Sequence, residues 1–326
     1  MDTIKVLITS AGSAPAIGVI KALRQQKEIK IRIIAVDMDR LSAGFYLADD
    51  FYLVPSSQES NFISEIIKIC KKEKVSFLIP IIDEELPFFA KEQKLLESVG
   101  LRVLVNNLEV IERGNDKYAT YLFCREHNIL APETYLFSPR SKYSGISLPI
   151  IVKPRWGRGS QFLYKLKDLN QLDYLSLPNR EFVVQEFISG REYTVDILAQ
   201  PDGTILQAIP RERIVVKAGM MYKGRTEKNK GLIEYAKRIA QKFGINGPCN
   251  IQFIEKGDKF YLIEVNPKFA AGLPLTVNAG INIPFLLIKM HLGMRVSSQE
   301  LEFKDNFYML RYWEEIYFSN YKKVEH

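Results

Sequence analysis

The sequence predicts an α/β parallel-sheet domain at the N-terminus, followed by an α+β unit with two β-rich lobes. Three observations carry this. Short β-rich runs alternate with helical patterns from residue 4 to about 105. After "NNLEVIERGNDK" the pattern changes to hairpin-like segments separated by turns such as "QPDG" (200–203) and "KGDK" (256–259). The chain has 326 residues, enough for two or three packed units.

The first unit reads "IKVLIT", a helix from about Pro15 to Gln26, "IRIIAVD", a helix through "FISEIIKIC", "VSFLIPII", a helix from Glu84, and "LRVLV". Strands alternating with helices argue for a parallel sheet covered on both faces. The first strand ends in "TSAGSAPAIG", where Gly12 can turn the chain and free helix N–H groups can face an anion. Asp37 ends the second strand, about where a ribose-binding acid sits in a dinucleotide fold. The spacing from Gly12 to Gly18 does not match G-x-G-x-x-G, so a nicotinamide oxidoreductase stands only as a rival to a tight βα turn. In "IIDEELPFF" (81–89) three carboxylates meet a strand-to-helix junction, where an N-cap and the helix dipole suffice to explain them.

The boundaries expected are 1–105 for the parallel-sheet domain, 106–296 for the second unit and 297–326 for a C-terminal docking segment. Within the second unit a smaller nucleotide lobe spans about 118–186, and a larger metal and substrate lobe about 187–296. The aromatic end "FYMLRYWEEIYFSNY" (307–321) should cover its own core or that of a partner subunit, a homodimer in the second case. The helix through "LIEYAKRIAQKFG" (232–244) carries a core stripe and stops at Gly244.

Composition narrows the function. Apolar residues make up 47% and charged residues 25%, the balance of an ordered globular protein. Runs such as "FLIPII" fall far short of a bilayer span, and "MDTIKVLITS" enters a strand at once, so a soluble protein without membrane partner or signal peptide is expected. Cys70, Cys124 and Cys249 have no zinc or disulfide spacing, which favours the cytoplasm. The net charge of +7 suits anionic small molecules; the basic residues are too scattered for a nucleic-acid patch.

Chemistry concentrates in a few places. "LPIIVKPRWGRGSQFLY" places Lys153 at the end of an apolar strand, before a loop from Gly157 through Gly159 to Ser160. A buried ammonium wants an anion, and bared backbone N–H groups can share it, so this pair suits a polyphosphate or an ordinary hairpin. In "EFVVQEFISGREYTVDILA", Glu186 and Glu192 flank a bend at Gly190. Backbone groups near Phe187 and Ile188 could face an adenine edge and Glu192 ribose hydroxyls, or the strand face is simply solvated. Lys117 follows Asp116 in the first turn of a helix, where the dipole disfavours a cation, so it either snorkels into water or is held by an anion.

The stretch "FYLIEVNPKFAAG" (260–272) puts Glu264 and Asn266 on one face of a strand that Pro267 ends. With a three-residue loop from Gly257 to Lys259, Gln252 would stand opposite Glu264 and Asn250 opposite Asn266. Those oxygens suit Mg²⁺ held jointly with phosphates. His127, His291 and His326 lie outside these motifs and read as structural or tail residues.

In this order, "NDK", "IIVKPRWGRGS", "VQEFISGREYTVD", "GPCNIQF" and "LIEVNP" resemble the ATP-grasp superfamily. The likeness is greatest to the large subunit of carbamoyl-phosphate synthase and its stand-alone relatives. It covers about residues 110–295, and the first hundred residues resemble the domain that precedes the grasp fold. The resemblance implies that Lys117 and Lys153 contact ATP phosphates, that Gly157 to Ser160 form a flap, that Glu186, Phe187 and Ile188 meet adenine, and that Glu192 meets ribose. It implies Mg²⁺, with Mn²⁺ as an alternative, on Gln252, Glu264 and Asn266.

Lys268 departs from the family, which has arginine after "NP"; lysine keeps the charge and loses the two-bond fork. Arg211, Arg213, Lys223, Arg225 and Thr226 in "IPRERIVVKAGMMYKGRT" resemble substrate-side segments and could compensate, or form a solvated strand face. The implied activity is an ADP-forming carboxylate–amine ligase that works through an acyl phosphate on small-molecule substrates. The rivals are a bicarbonate-activating enzyme like carbamoyl-phosphate synthase and a regulatory protein that binds ATP without ligation.

Overall fold

Apolar residues on both faces of the early strands build the first sheet. In the computed structural model, which describes residues 3–137, 143, 145–157 and 162–319, these strands are β1 (Ile4–Ile8), β2 (Ile31–Asp37), β3 (Asp50–Leu53), β4 (Phe77–Ile79) and β5 (Arg102–Val103). They run parallel in the order β3-β2-β1-β4-β5. Helices α1 (Ala14–Gln25), α2 (Gly44–Leu47), α3 (Phe62–Glu73), α4 (Leu86–Lys91) and α5 (Gln93–Ser98) connect them. The strand order reverses between β1 and β4, so the loops after these two strands flank a crevice.

The crevice does not present a dinucleotide turn. Asp37 accepts hydrogen bonds from the Gly12 N–H at 2.8 Å and the Asp39 N–H at 2.9 Å, so its carboxylate closes the βα turn itself. The carboxylates of residues 83–85 do not cap α4 as the sequence suggested. Glu85 has helical backbone angles and no capping bond; it is buried, and accepts from the Thr9 hydroxyl at 2.5 Å and the Ser10 hydroxyl at 2.6 Å. Burial pushes its pKa up against those two bonds.

Helices α6 (Leu108–Asn115) and α7 (Lys117–Glu126) lead into a four-stranded antiparallel sheet of β6 (Thr134–Leu136), β7 (Ile150–Pro154), β8 (Tyr164–Leu166) and β9 (Phe182–Glu186). Its order is β6-β9-β7-β8, around Ile150, Val152, Phe182 and Val184. The larger sheet comprises β10 (Arg191–Ala199), β11 (Ile205–Lys217), β12 (Met220–Thr226), β13 (Cys249–Lys256), β14 (Lys259–Asn266) and, further on, β15 (Tyr308–Leu310). Helix α8 (Lys230–Phe243) lies on it through Leu232, Ala236, Ile239 and Phe243, and ends at Gly244 with φ 80°. Helix α7 also packs here: Phe123 and Cys124 enter the core of the larger sheet. The sequence reading starts the smaller lobe at about residue 118, and α7 touches both sheets: it meets β6 of the smaller one and β14 of the larger.

Helices α9 (Leu273–Ala279) and α10 (Ile283–His291) join the N-terminal unit to the larger sheet in one apolar core, which includes Val19, Ile20, Leu23, Leu198, Leu286 and Ile288. No single helix among the described residues is long and apolar enough to cross a membrane. After α10 the chain pairs β15 with β12, Lys223 facing Leu310 and Arg225 facing Tyr308. Phe318 then stacks on Tyr46 at 4.4 Å, while Trp313 and Tyr317 stay 86% and 87% exposed.

Candidate active site

The hairpin β13–β14 sets the floor. Asn250 pairs with Asn266 and Gln252 with Glu264, the pairing expected, but the turn is shorter than expected. Lys256 pairs with Lys259 across a two-residue turn, and a register shift beyond Gln252 leaves Ile263 unmatched between Leu262 and Glu264. Without that bulge Gln252 would face Ile263; the extra residue moves the ladder by one and returns Glu264 to the same face. Asn106 pins both ends of the hairpin. Fully buried, it donates to Pro248 O at 2.7 Å and Pro267 O at 3.3 Å, and accepts from the N–H groups of Asn246 and Gly247 at 3.1 and 2.9 Å.

Over this floor lies a cleft of about 530 Å³, lined among others by Lys117, Lys153, Gly157, Glu192, Arg213 and Lys268, with Pro15 of the N-terminal unit at its edge. The cations gather on one carboxylate. Lys153 Nζ lies 3.6 Å from Glu264 Oε1, with Lys153 only 6% exposed. Burial pushes the Lys153 ammonium down to about 8, against the pull of Glu264 and with the push of Lys117. Glu264 is the mirror case: burial raises its pKa, yet Lys117, Lys153, Arg213 and Lys268 together hold it below the ordinary carboxylate range.

Local structure places each of these groups. Asp116 caps α7 by accepting from the N–H groups of Tyr118 and Ala119, and also takes both Arg155 Nε at 2.9 Å and Nη2 at 2.6 Å. That fixes the start of the glycine loop beside α7, where Lys117 Nζ donates to Gly157 O at 2.8 Å. Gly159 and Ser160 lie outside the described residues. Arg213 Nη1 donates to Gln252 Oε1 at 2.9 Å. Arg211, 1% exposed, holds Asp196 Oδ1 at 2.5 Å, and the other Asp196 oxygen takes the Thr276 hydroxyl at 2.5 Å.

Other expected residues stand apart. Arg225 is outside the cleft lining; its guanidinium serves Glu212 at 2.6 Å and Asn306 at 2.8 Å. The Phe187 N–H, expected to be open to an adenine edge, already donates to Pro149 O at 3.1 Å, because β9 leaves the sheet beside β7 there. Glu186, Phe187 and Ile188 form the strand exit before the bend and do not line the cleft. Gly190 at that bend is obligatory, since a Cβ would sit 1.8 Å from Glu255 O. His127 bonds Phe123 O at 3.0 Å, and His291 packs edge-on against Phe77. Sequence reading missed Asp83, whose carboxylate takes the Lys268 ammonium in a short contact between the two units, as well as Asp196 and Asn106.

One family model, described as "ATP-grasp in the biosynthetic pathway with Ter operon", matches residues 178–314, and another, "PylC-like, N-terminal domain", matches residues 6–104. The chain carries an ATP-grasp domain behind a PylC-like N-terminal domain. The ATP-grasp chain is 26% identical over 306 residues to the carbamoyl phosphate synthase large chain of Thermoanaerobacter pseudethanolicus, covering 87% of itself and 28% of that relative. It thus spans just over a quarter of the curated protein it matches.

Two solved structures share its fold. One is the biotin carboxylase domain dimer of Hydrogenobacter thermophilus 2-oxoglutarate carboxylase, in complex with MgADP, ADP and bicarbonate, at TM-score 0.74 and 16% identity over 92% of this chain and 72% of that one. The other is an L-amino acid ligase from Bacillus licheniformis, at TM-score 0.70 and 15% identity over 92% and 77%. At such identities the likeness establishes the ATP-grasp fold, with its parallel-sheet N-terminal domain and antiparallel lobes.

The oxygens on the floor fit magnesium only in company. Asn266 donates its amide N–H to Asn250 at 3.4 Å, leaving Oδ1 available, and Glu264 is kept ionised. Gln252 Oε1 is engaged by Arg213, which must yield it. One carboxylate and amide oxygens suit an ion whose remaining ligands are phosphate oxygens and water. Among the described residues no group of three or more His, Cys, Asp or Glu forms a separate metal cluster.

Proposed function

We propose that this ATP-grasp chain is an ATP-dependent ligase that activates a carboxylate as an acyl phosphate for attack by an amine, releasing ADP and phosphate. One observation carries the reading: Lys117, Lys153, Arg213 and Lys268 all act on the single carboxylate of Glu264 inside one cleft. Asp83 offsets Lys268 and Glu192 stands 3.8 Å from Arg213, but Lys117 and Lys153 still share Glu264, a surplus that ATP phosphates and an acid would balance.

Lys153 and Lys117 would hold the phosphates, and the carbonyl of Gly157 keeps Lys117 aimed across the loop mouth. Glu192, facing the cleft, suits ribose hydroxyls. Lys268 and Arg213 would set the acid in line with the γ-phosphate, so that a carboxylate oxygen attacks phosphorus as ADP departs. The amine nitrogen then attacks the acyl carbon, phosphate leaves, and the nitrogen loses a proton. Glu264 and Asn266, with Gln252 once freed, would hold Mg²⁺ or Mn²⁺, which would offset charge on the phosphoryl group.

Bicarbonate is the second reading for the acid, favoured by the fold shared with the bicarbonate complex from Hydrogenobacter thermophilus. Product release across amino acids, small carboxylates and bicarbonate, with and without amines, tests both. ADP and phosphate should appear only with a matching acid, and Glu264→Ala should lower turnover by about 10²–10³-fold. AMP as product, or full activity of Glu264→Ala, overturns the mechanism.

A further inference from the structure

Arg213 lies across the cleft floor and is held there by groups that other ligands would claim. From β11 it reaches over β10 to β13, two strands or roughly 10 Å away, so its guanidinium lies flat along the sheet face. There its Nη1 donates to Gln252 Oε1 at 2.9 Å, while Nη2 donates to Gly219 O at 2.8 Å. Its Nε stands 3.8 Å from Glu192 Oε2, beyond hydrogen-bond range, and is buried without a partner. Arg213, Gln252, Gly219 and Glu192 all line the cleft.

The two bonds tie separate parts of the site together. Gln252 pairs with Glu264 on the metal floor. Gly219 belongs to the turn between β11 and β12, where Ala218 and Gly219 have φ 47° and 74°. The strand leading there is irregular, with register shifts between Arg213 and Val215 and between Val215 and Val216, and such bulges bend a hairpin. Val216 and Met220 at its end line the cleft yet are 36% and 40% exposed, so apolar packing alone does not fix the tip. Arg213 draws that tip toward the floor.

A metal ion and Arg213 compete for Gln252. A magnesium ligand lies about 2.1 Å from its ion, and the Arg213 nitrogen sits 2.9 Å from the same oxygen, so sharing would bring a divalent ion and a guanidinium within roughly 5 Å of each other. Repulsion at that distance over a half-buried floor makes one of them leave the oxygen. When Arg213 leaves, its Nη1 joins the open Nε as donors for an acid.

We propose that Arg213 orders binding: a metal-bound nucleotide takes Gln252, Arg213 turns away from it, and only then is the acid site complete, so the acid enters after the nucleotide. This rests on the ligase reading above. The alternative role for Arg213 is a staple that holds Gln252 and Gly219 together whatever is bound.

Mn²⁺ binding to the full chain with a non-hydrolysable ATP analogue is titrated by electron paramagnetic resonance in wild type, Arg213→Met, Gln252→Leu and the double variant. Arg213→Met should bind the ion about tenfold more tightly than wild type, because a competing charge-assisted bond is gone. In the Gln252→Leu background the same substitution should change affinity less than about threefold, since the contested oxygen is absent. Calorimetry on wild type then compares the acid that released ADP in the survey above, added alone and added after Mg²⁺ and the analogue; the second should bind at least about tenfold more tightly. Unchanged or weaker Mn²⁺ binding in Arg213→Met overturns the proposal and assigns the staple role. So does an equal gain without the Gln252 oxygen, which leaves a bare charge effect, and so does equal acid affinity in the two wild-type titrations, a measurement that stands even where a variant fails to fold. Failure of the ligase reading is distinct: no binding of the analogue with Mn²⁺, and no ADP released with any acid.

Discussion

Replacing Lys153 by methionine should stabilise the ligand-free protein and remove its response to ATP. Lys153 is 6% exposed, and burial moves its ammonium from the ordinary value of roughly 10.4 down to about 8. At 1.36 kcal/mol per pKa unit, keeping that charge inside at neutral pH costs about 3 kcal/mol. Methionine keeps the unbranched stem and drops the charge. The Glu264 pairing is already contained in that value, so the gain of about 3 kcal/mol should raise the melting temperature by about 4–6 °C.

The pH dependence has a definite sign. Below the folded value of about 8 both states hold the proton, and the penalty is complete. Between there and the ordinary lysine value only the unfolded chain holds it, so wild-type stability rises with pH and the advantage of Lys153→Met shrinks. In the same variant ATP·Mg²⁺ affinity should fall about 10–10²-fold, with loss of a charge-assisted bond. Calorimetric melts at several pH values, with and without ATP·Mg²⁺, measure both effects. A ligand-free Lys153→Met that melts below wild type, or that keeps the ATP shift, refutes the argument that this cation is retained for an anionic ligand.

Two further outcomes are expected. Lys268→Arg should retain or improve activity because the guanidinium can hold both Asp83 and a carboxylate, whereas Lys268→Ala should raise the KM for the acid about tenfold or more. Steady-state kinetics separates them, and an unchanged KM in Lys268→Ala removes Lys268 from the acid site. Asn106→Ala strands buried groups at both ends of the β13–β14 hairpin and should cost about 2–4 kcal/mol in denaturant titration; a cost below about 1 kcal/mol would mean that water replaces the amide.

The parallel sheet of the first hundred residues was legible because its signals are local: apolar runs of strand length, separated by helical periodicity. Lys153 and Glu264 were legible for a related reason, a charged residue placed among apolar neighbours with few ways to be satisfied. The Gln252–Glu264 pairing was reached through the wrong turn. The sequence suggested a three-residue loop, while the fold uses two residues and a bulge at Ile263, and no composition rule marks one extra strand residue.

Tertiary structure alone decided what depended on distant partners. Asp83 looked like part of a helix start and instead meets Lys268, 185 residues away. Arg225 and Arg213 share one basic run, yet strand alternation and pairing turn Arg213 to the metal floor and Arg225 to Glu212. The sequence by itself determined the architecture and the chemistry carried by its strands, since these follow from periodicity and from the cost of burying charge. Which cations share the cleft, and that β15 pairs with β12 beside it, depended on the packing of segments far apart in sequence, which local propensity does not encode.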